Sequence, residues 1–518
     1  MTKRRNKPDP GPKGSTPPLA LDSPELQRAR QRWSRNQYEP ALKLFRQAVR
    51  RQPDNTLALT DAARAFGARF EIPTAEKLLA RLMKLVGNNA DLLFQTGQSY
   101  RMIRRPEEAI ACFESALANR SSLAEAHLEL SILFERCHRL EESLEHAEAF
   151  LKSRPDSPEG KLVQARALRR SGDPARATTI LESIVQATSA HPFIRSEAAS
   201  LVAAILDQEG HYDEAFKMME QSKGFLAPLA EPYQQRAVQE LEFTTALREE
   251  MTEDVFAQWT SRADESKIAL LTGVPRSGTT LLERILDAHP DILCSDEREA
   301  FPSYILPAVL SKSSNRPPAL GRETLEKITD RSLNAQRERY RDYLSWTLGE
   351  EQGKRWLIDK NPSTVPLLPG FLRTVPSGKI IYASRDPRDV VLSCFFRYLP
   401  LNSVSVRFLD IRTAAERTRF ELETWHHYRD LLPNNWVEVA YHDLVCDFQG
   451  ALAPVLNILG LAWNDALNTY RDHNLNKSVN SPTYAEVTQP IHRAALGRWK
   501  NYESQLAPAL EVLEGLGN

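Results

Sequence analysis

A short loop in the second half of the chain has the residue types to hold a phosphate. A short apolar strand runs into the turn Gly273–Thr280, and an amphipathic helix is expected from Thr279 to Ala288. Such a turn directs several backbone N–H groups at one point, which also lies at the positive end of the helix dipole. Gly273 and Gly278 have the G-x4-G spacing of a nucleotide phosphate-binding loop, but Thr279 stands where those loops carry lysine. The loop therefore predicts a phosphate-bearing donor other than an ATP–Mg²⁺ complex.

The side chains of this loop could also stabilise charge on a transferring group. Arg276 lies inside the turn, so its guanidinium could bridge two oxygens of that group. The serine and the two threonines can donate hydroxyl hydrogen bonds beside the backbone amides. The alternative for a single loop arginine is an ordinary surface charge. The predicted donor-binding residues of the loop are Pro275, Arg276, Ser277, Gly278, Thr279 and Thr280.

A second phosphate site is indicated by the segment KIIYASRDPRDVVLSCFFRY. Its predicted strand, Lys379–Ser384, delivers Arg385 at the carboxyl end, and Ser393 follows two turns into the next helix. Arg385 and Ser393 could therefore hold one phosphate from two sides. The alternative is ordinary helix-cap chemistry, because Asp386 is a good N-cap and Pro387 a good first helical residue. The presence of the first loop favours the binding interpretation.

The second half of the chain alternates strand-like and helix-like segments. The candidate strands are Lys267–Thr272, Arg355–Ile358, Lys379–Ser384 and Trp436–Ala440. The candidate helices are Thr279–Ala288, Thr324–Leu348, Asp386–Tyr398, Thr413–Leu432 and Ala451–Leu459. Continuous apolar strands between helices predict an α/β domain with a parallel sheet covered on both faces. Ligands of such folds bind beyond the carboxyl ends of the strands, which is where the loop lies.

Small residues recur at a fixed interval in the first half of the chain. One register is Ala29, Ala63, Gly97, Ser131, Ala165 and Ala203, and a second lies twelve residues later at Ala41, Ala75, Ala109, Ser143, Ala177 and Ala215. Both registers step by 34 residues four times and then by 38. A 34-residue step predicts two antiparallel helices with a turn, and it resembles the tetratricopeptide repeat in about six copies over 22–229. The four extra residues of the last step are expected near Ala187–Phe193.

These repeats predict an α-solenoid with a concave face that recruits a protein or peptide, either a substrate or another partner. The alternative is a dimerisation or stability module fused to an enzyme, which makes a homodimer a candidate assembly. The predicted domains are a disordered basic tail (1–22), the repeat solenoid (23–229), capping and linker helices (230–263) and the phosphate-binding α/β domain (264–518).

The composition argues against several classes of function. The 67 basic and 68 acidic residues nearly cancel, so no global field favours a nucleic-acid or membrane partner. The five cysteines are scattered without a C-x-x-C pair, which favours a reducing compartment and excludes a cysteine-based zinc site. No apolar run approaches the length of a membrane span. The sequence therefore predicts a cytoplasmic protein whose anion site is local.

The phosphate loop and its surroundings resemble a known enzyme family. The segment VPRSGTTLLERILDAHPDILCSDERE, followed by a strand-Arg-x7-Ser element, is similar to the sulfotransferases that use 3′-phosphoadenosine-5′-phosphosulfate. The most similar members are the tyrosylprotein sulfotransferases and bacterial proteins that join tetratricopeptide repeats to such a domain, and the resemblance covers about 265–503. It implies that donor as co-substrate and a hydroxyl acceptor, with protein or peptide tyrosine as the first candidate. No metal is expected, because arginine and lysine can supply the positive charge.

The resemblance assigns roles to five side chains. Arg276 and the rest of its loop would hold the 5′-phosphosulfate, and Arg385 with Ser393 would hold the 3′-phosphate. Glu297 matches the catalytic base of the family, and Lys360 matches a lysine that polarises the sulfuryl group together with Arg276. Sulfuryl transfer is an in-line displacement that needs positioning, charge stabilisation and a base near the acceptor proton. The alternatives are a surface glutamate in an acidic run and a salt-bridged lysine.

Several positions depart from the family pattern or offer another assignment. Cys294 occupies the cysteine of the motif, but Ile358 stands where its disulfide partner would lie, which fits a reduced protein. Glu299 stands where the tyrosylprotein enzymes have arginine, so a preference for acidic peptides does not follow. His289 is an alternative base, since other sulfotransferases use histidine, but before Pro290 it suits a helix cap.

Two other functions compete with the sulfotransferase interpretation. One is a phosphate-loop kinase, against which stand Thr279 in the lysine position and the apparent lack of a strand aspartate for a metal ion. The other is a tetratricopeptide scaffold whose second domain binds nucleotide without catalysis. The complete set of candidate catalytic and donor-binding residues argues against that inactive scaffold.

Overall fold

The computed structural model describes residues 22–260, 266–298, 300–307, 321–348, 352–432, 434–475 and 493–516. The chain divides into two compact units, Met1–Ala126 and His127–Asn518. No helix in these described ranges is long and apolar enough to span a membrane. The domain bounds drawn from the sequence stay predictions.

Six helix pairs occupy the repeat region within the described residues, which confirms the predicted tetratricopeptide architecture. The pairs are α1 Pro24–Ser34 with α2 Tyr38–Arg51, α3 Thr56–Ala68 with α4 Ile72–Met83, α5 Ala90–Met102 with α6 Pro106–Asn119, α7 Ala124–Arg136 with α8 Leu140–Ser153, α9 Pro158–Arg170 with α10 Pro174–Gln186, and α11 Pro192–Gln208 with α12 Tyr212–Leu226. The recurring small residues are buried where the helices of a pair approach each other. The hydroxyl of Ser131 donates to the carbonyl of Ser143 (2.7 Å) and the hydroxyl of Ser143 donates to the carbonyl of Ser131 (2.8 Å).

The extra four residues of the last repeat lie inside a helix, so their predicted place near Ala187–Phe193 is wrong. From the third pair onward, the first helix of each pair begins 34 residues after the first helix of the pair before it, and α11 keeps this spacing by beginning at Pro192. However, α11 has 17 residues, whereas α9 has 13. The insertion therefore adds about one turn of helix. The recurring small residues showed only that the four residues lie between Ala177 and Ala203, and not where in that interval.

A residue in the left-handed conformation follows the first helix of each pair. These residues are Asn36, Phe70, Arg104, His138, Gly172 and Gly210, with φ between 57° and 92°. They keep the same steps of 34 and 38 residues as the small residues. The left-handed conformation ends a helix without strain at glycine, but it costs a residue with a Cβ atom about 1–2 kcal/mol. Four of the six repeats therefore carry this local strain.

At this left-handed position, a change to glycine should stabilise the protein, and a change from glycine to alanine should destabilise it. We expect Arg104→Gly to stabilise its helix pair by about 1 kcal/mol, because glycine removes the Cβ strain. Gly172→Ala is the matched control: an added Cβ meets no atom within 4 Å, so only the backbone strain at φ 92° remains, and it should cost about 1 kcal/mol. The thermal midpoint of helix unfolding, followed by circular dichroism, measures both. If both variants shifted the thermal midpoint in the same direction, the strain argument would be contradicted.

The second unit also contains a five-stranded parallel sheet. The strands are β1 Ile268–Thr272, β2 Ile292–Cys294, β3 Trp356–Lys360, β4 Lys379–Ser384 and β5 Trp436–Ala440, in the order β2-β3-β1-β4-β5. The parallel α/β prediction is confirmed. The chain leaves β1 toward β2 and β3 on one side and reaches β4 on the other, so the loop after β1 lies at the switch point of the sheet.

Two details of the predicted sheet are corrected. Strand β2 was not predicted, because three apolar residues after a helix are too short for a recognisable pattern. Strand β3 runs to Lys360, whereas the sequence prediction ended it at Ile358. Asp359 and Lys360 are fully buried despite their charge, and hydropathy alone cannot anticipate a buried polar strand end whose partners come from elsewhere in the chain.

The helices of this unit beyond the repeats include most of the predicted ones, with shifted ends, and several that were not predicted. They are α13 Glu231–Glu250, α14 Glu253–Thr260, α15 Thr279–Leu286, α16 Arg322–Glu326, α17 Asp330–Leu348, α18 Leu368–Thr374, α19 Pro387–Phe395, α20 Ile411–Leu431, α21 Tyr441–Cys446, α22 Phe448–Leu459, α23 Tyr470–Leu475 and α24 Ala507–Leu513. The single helix predicted over Thr324–Leu348 is wrong. It is broken into α16 and α17, because the hydroxyl of Thr329 accepts from the Ser332 amide (3.3 Å) and starts the second helix.

The last repeat packs directly on the α/β domain. Phe216 of α12 stacks on Phe395 of α19, with ring centroids 5.1 Å apart. The Nζ of Lys223 donates to the carbonyl of Arg397 (2.8 Å). The buried cluster at this junction also takes in residues of α11, α20 and α24. Helix α12 is therefore part of the core that supports α19.

Candidate active site

The loop after β1 is held in a conformation that its glycines allow. Gly278 is the N-cap of α15 with φ 99°, and a Cβ there would lie 2.6 Å from the ring of Tyr441. A Cβ at Gly273 would lie 2.3 Å from the carbonyl oxygen of Ala383 on β4. Arg276 takes φ 71° although it is not glycine. Strained non-glycine residues of this kind concentrate at functional sites.

One group of predicted residues meets between the loop and α19. The Nε of Arg276 donates to the hydroxyl of Ser393 (3.1 Å), across 117 residues of sequence. Arg385 donates from Nη1 to the carbonyl of Arg276 (3.1 Å) and from Nη2 to the carbonyl of Ala495. Its guanidinium lies 4.9 Å from the centre of the Tyr441 ring. The structure thus brings Arg276, Arg385 and Ser393 together.

This group retains polar atoms suited to an anion. Among the residues that the structure describes, the hydroxyl of Ser277 and the Nε of Arg385 are buried without a hydrogen-bond partner. Burial lowers the pKa of Arg385, although Asp389 acts in the opposite direction. Asp389 itself accepts from the amides of Gly497 (2.7 Å) and Trp499 (2.9 Å). A buried guanidinium and a buried hydroxyl donor with unused capacity fit a phosphate group.

A second group meets around Lys360 at the end of β3. Its Nζ lies 2.9 Å from Oε1 of Glu297, 2.9 Å from Oε2 of Glu283, and 3.3 Å from the hydroxyl of Thr280. Lys360 and Glu283 are buried, whereas the side chain of Glu297 is 29% exposed. Burial acts to lower the pKa of Lys360, but Glu283, Glu297 and Asp296 outweigh it and raise that pKa above its usual value. The predicted base, the predicted lysine and the phosphate loop are therefore in direct contact.

The segment that presents Glu297 is strained and tied to α15. Asp296 and Glu297 both take left-handed φ values, 53° and 55°. The amide of Asp296 donates to Oε1 of Glu283 (2.8 Å), and the carboxylate of Asp296 accepts from Arg284 (2.9 Å). Asp287 accepts from the amide of Cys294 (3.1 Å) at the end of β2. Side chains of α15 and of its C-cap residue thus fix the course of this segment.

Comparison with known proteins assigns both halves of the chain. Residues 269–465 match the sequence model of the Sulfotransferase family, and residues 94–158 and 128–192 match that of the Tetratricopeptide repeat. The chain carries tetratricopeptide repeats and a sulfotransferase-family domain.

The curated relatives of this chain are distant. The protein-tyrosine sulfotransferase of Drosophila melanogaster is 26% identical over 48% of this chain and 52% of that protein. An uncharacterised protein of Aquifex aeolicus is 23% identical over 65% of this chain and 43% of its own length. The sulfotransferase domain of a Synechococcus olefin synthase aligns at a TM-score of 0.34 and 19% identity, over 49% of this chain and 96% of that domain. The chain spans about half of the length of the curated relatives it matches.

Asp359 of the sulfotransferase domain corrects one argument from the sequence. It lies in β3 beside β1, so a strand aspartate is present after all. However, it accepts hydrogen bonds from Ser295 (2.8 Å), from the side-chain amide of Asn361 (2.6 Å) and from the hydroxyl of Tyr340. The same Ser295 hydroxyl accepts from the amide of Lys360 (3.0 Å). Asp359 is therefore engaged in joining β3 to the segment before Glu297.

Other residues that the sequence raised as candidates have structural partners in the sulfotransferase domain. His289 is buried, its Nε2 lies 3.1 Å from the carbonyl of Ala462, and its Nδ1 accepts from the Asp291 amide (3.1 Å). Because α15 ends at Leu286, His289 lies beyond the helix end and does not cap it as predicted. Cys294 pairs in register with Ile358 on the neighbouring strand, and its thiol donates to the carbonyl of Glu283 (3.6 Å). Glu299 lies outside the described residues.

The sequence did not single out three residues that complete the two groups. They are Glu283, Asp389 and Tyr441. Glu283 follows Thr280 by three positions, so a helical spacing could have placed it on the same face as the loop hydroxyl. No comparable pattern points to Tyr441, because its contact with Arg385 depends on how two strand ends lie together. The remaining predicted loop residues also have defined places: the carbonyl of Pro275 accepts from the Cys394 thiol (3.4 Å), and Thr279 is the buried first residue of α15.

Proposed function

We propose that the protein is a sulfotransferase that moves a sulfuryl group from 3′-phosphoadenosine-5′-phosphosulfate to a hydroxyl, with a protein or peptide tyrosine as the first candidate acceptor. The single observation that carries this proposal is Lys360, whose Nζ touches both Glu297 and the loop residue Thr280. In-line sulfuryl transfer requires a cation, a carboxylate that the acceptor can reach and a phosphate-binding loop, all close together. Lys360, Glu297 and Thr280 supply these three elements in direct contact.

The donor would lie across the two groups of residues. The loop amides, the hydroxyls of Ser277 and Thr280, and Arg276 are suited to the 5′-phosphosulfate. Arg385 and Ser393 are suited to the 3′-phosphate. The buried Nε of Arg385 and the hydroxyl of Ser277, which lack partners among the described residues, support this placement.

The transfer step needs one base and one source of positive charge. The acceptor oxygen attacks the sulfur, its proton passes to the carboxylate of Glu297, and the bond from sulfur to the bridging oxygen of the 5′-phosphate breaks. Lys360 and Arg276 would stabilise the negative charge that develops on that leaving oxygen. The products are the sulfated acceptor and 3′,5′-adenosine bisphosphate. No proton donor other than the acceptor is required.

The acceptor and the partners are the finer part of this proposal. Tyrosine is supported by the protein-tyrosine sulfotransferases among the relatives, which are 23–26% identical over 45–48% of this chain. The repeats would recruit the acceptor protein or another partner, because tetratricopeptide repeats commonly hold peptides. A homodimer is the alternative role for the repeats, and cytoplasmic action remains part of the proposal.

Donor specificity provides the first test. We expect the purified protein to bind 3′,5′-adenosine bisphosphate more tightly than 5′-AMP, and Arg385→Met to lose that preference. A charge-assisted hydrogen bond contributes about 1.5–3 kcal/mol, so the loss should be about 10- to 150-fold in affinity. Isothermal titration calorimetry measures both constants.

A neighbouring arginine gives the matched control. Arg388 pairs with Asp386 (2.7 Å) and lies 4.1 Å over the ring of Trp499, so Arg388→Met should keep the preference for the bisphosphate. No saturable binding by the wild-type protein would refute the donor assignment, and Mg²⁺-dependent ATP turnover would favour a kinase. Binding without transfer of radiolabelled sulfate to any lysate acceptor would favour an inactive scaffold.

A further inference from the structure

Glu283 is a buried carboxylate at the centre of the site to which neither the loop nor the proposed reaction assigns a role. It lies in α15, three residues after Thr280, and 1% of its side chain is exposed. Its Oε2 lies 2.9 Å from the Nζ of Lys360, and its Oε1 accepts from the amide of Asp296 (2.8 Å). One carboxylate therefore touches both the predicted lysine and the backbone next to the predicted base.

We propose that Glu283 is a positioning residue for sulfuryl transfer: it holds the Lys360 amine beside the phosphate loop and fixes the backbone turn that presents Glu297. The inference rests on the proposed function. Its two contacts are made by different oxygens of the same side chain, so Lys360 and the Glu297 segment are held at a fixed separation from α15.

The turn before Glu297 needs such an anchor. Two consecutive residues in the left-handed conformation cost about 1–3 kcal/mol each, and they persist only where the surroundings fix them. Glu283 holds the amide of Asp296, and Arg284 holds its carboxylate (2.9 Å). Both anchors come from the helix that begins at the phosphate loop, so the turn that presents Glu297 is tied to that loop.

The charge of Glu283 also matters for the lysine. Lys360 faces Glu283 from α15 and Glu297 and Asp296 from the segment after β2, and Arg284 faces Asp296. Glu283 is the largest of the contributions that raise the pKa of Lys360. Burial raises the pKa of Glu283 itself, against the opposing effect of Lys360. The carboxylate therefore keeps the lysine protonated, but it also adds a negative charge beside a site that must bind a polyanion.

Because Glu283 both positions Lys360 and repels a polyanion, its removal should affect binding and transfer differently. We expect Glu283→Gln to keep the hydrogen bond from Asp296 while losing the charge. Binding of 3′,5′-adenosine bisphosphate near neutral pH should be as tight as in the wild type or tighter, because a repulsive charge is gone. Transfer of radiolabelled sulfate from the donor to lysate acceptors should fall about 10- to 100-fold, because the reacting groups lose their fixed positions.

The pH dependence distinguishes this role from a merely structural one. A protonated lysine favours bisphosphate binding, and wild-type affinity should stay level to about pH 10, the ordinary range of a lysine amine. Without Glu283 the pKa of Lys360 falls, so the affinity of Glu283→Gln should decline at lower pH than that of the wild type. Calorimetry across pH measures this decline without knowledge of the acceptor.

Two further variants keep the inference falsifiable. Glu283→Asp retains the charge with a shorter side chain. Sulfate transfer should therefore fall, while bisphosphate affinity should decline at about the same pH as in the wild type. Asp287→Asn changes the carboxylate at the C-cap of the same helix, which accepts from the Cys294 amide (3.1 Å), and the pH at which bisphosphate affinity declines should stay that of the wild type. The inference would be overturned if the bisphosphate affinity of Glu283→Gln declined at the same pH as that of the wild type. It would also be overturned if this variant lost bisphosphate affinity as strongly as it lost the rate of sulfate transfer. Absence of wild-type bisphosphate binding would instead overturn the proposed function.

Discussion

Glu297→Gln should slow sulfuryl transfer about 10²- to 10⁴-fold while the protein still binds 3′,5′-adenosine bisphosphate. The amide keeps an oxygen where Oε1 now contacts Lys360 (2.9 Å), so the site should retain its shape. It cannot accept the acceptor proton, and loss of a general base costs about that factor. Donor affinity should hold or rise, because a negative charge near the polyanion is removed. Radiolabelled transfer under single-turnover conditions and calorimetry measure the two effects.

An exposed carboxylate on the other side of β2 serves as the control. Asp291 lies before β2 and is exposed, so Asp291→Asn should leave both the rate and the affinity near those of the wild type. If Glu297→Gln transfers sulfate at the wild-type rate, Glu297 is not the base. If it loses bisphosphate binding together with the rate, the residue holds the donor site and its role in proton transfer is not supported.

In the proposed reaction, Glu297 and Glu283 would divide two tasks that a single carboxylate could not perform together. Glu297 is partly exposed and can meet an acceptor, whereas Glu283 is buried and holds Lys360 in place. A lysine shared between two carboxylates need not leave the site when one of them takes a proton. Lys360 also touches Thr280 of the phosphate loop (3.3 Å). The Nζ of Lys360 would therefore interact both with the charge of a donor bound at the loop and with the charge of Glu297.

The sequence predicted the parts of the site that local chemistry determines. Gly273, Gly278 and the residues between them carry the signature of an anion loop in a single short segment. Arg385 likewise follows one strand directly, and Ser393 lies in the helix after it. In each case the spacing along the chain determines the spacing in space, since a strand end and a helix start fix the geometry.

The contacts between segments could not be predicted in the same way. Arg276 reaches Ser393 across 117 residues, and Lys360 reaches Thr280 across 80. Such contacts depend on strand order and on the register of β1 with β3, which places Leu271 opposite Lys360. Glu283 had no motif to mark it, and only the position of β3 shows that this helical carboxylate meets the lysine. The resemblance supplied Lys360 and Glu297 as candidates, but not their contact.

The repeats and the site are joined by a packing contact that the sequence also did not reveal. Helix α19 carries Ser393, and two residues further its Phe395 stacks on Phe216 of the last repeat (5.1 Å). Nearby, the hydroxyl of Tyr502 donates to Asp207 of α11 (2.5 Å). The residues around Tyr502 also supply the Gly497 and Trp499 amides that hold Asp389. The last repeat therefore packs against the helix that carries Ser393 and against the segment that holds Asp389, whose carboxylate lies 3.9 Å from Arg385.

Phe216→Ala should consequently weaken both the fold and the donor site. Phe216 is 7% exposed and packs on Phe395, Phe396 and Tyr502, so its truncation should cost about 3–5 kcal/mol. Loss of support under α19 should also reduce bisphosphate affinity about tenfold, within the usual range of coupling between sites. The thermal midpoint and calorimetry at a temperature where the variant is folded measure the two losses.

Phe225 offers the matched control for the coupling. It lies in the same helix, is partly buried against the core of the repeats, and its ring lies 4.1 Å from the guanidinium of Arg195. Phe225→Ala should lower the thermal midpoint while bisphosphate affinity stays near that of the wild type. If both variants reduce affinity to the same extent, the loss reflects general destabilisation, and the junction carries no specific coupling. If only Phe216→Ala does so, a ligand that stabilises the last repeat must also strengthen donor binding, because such coupling is reciprocal.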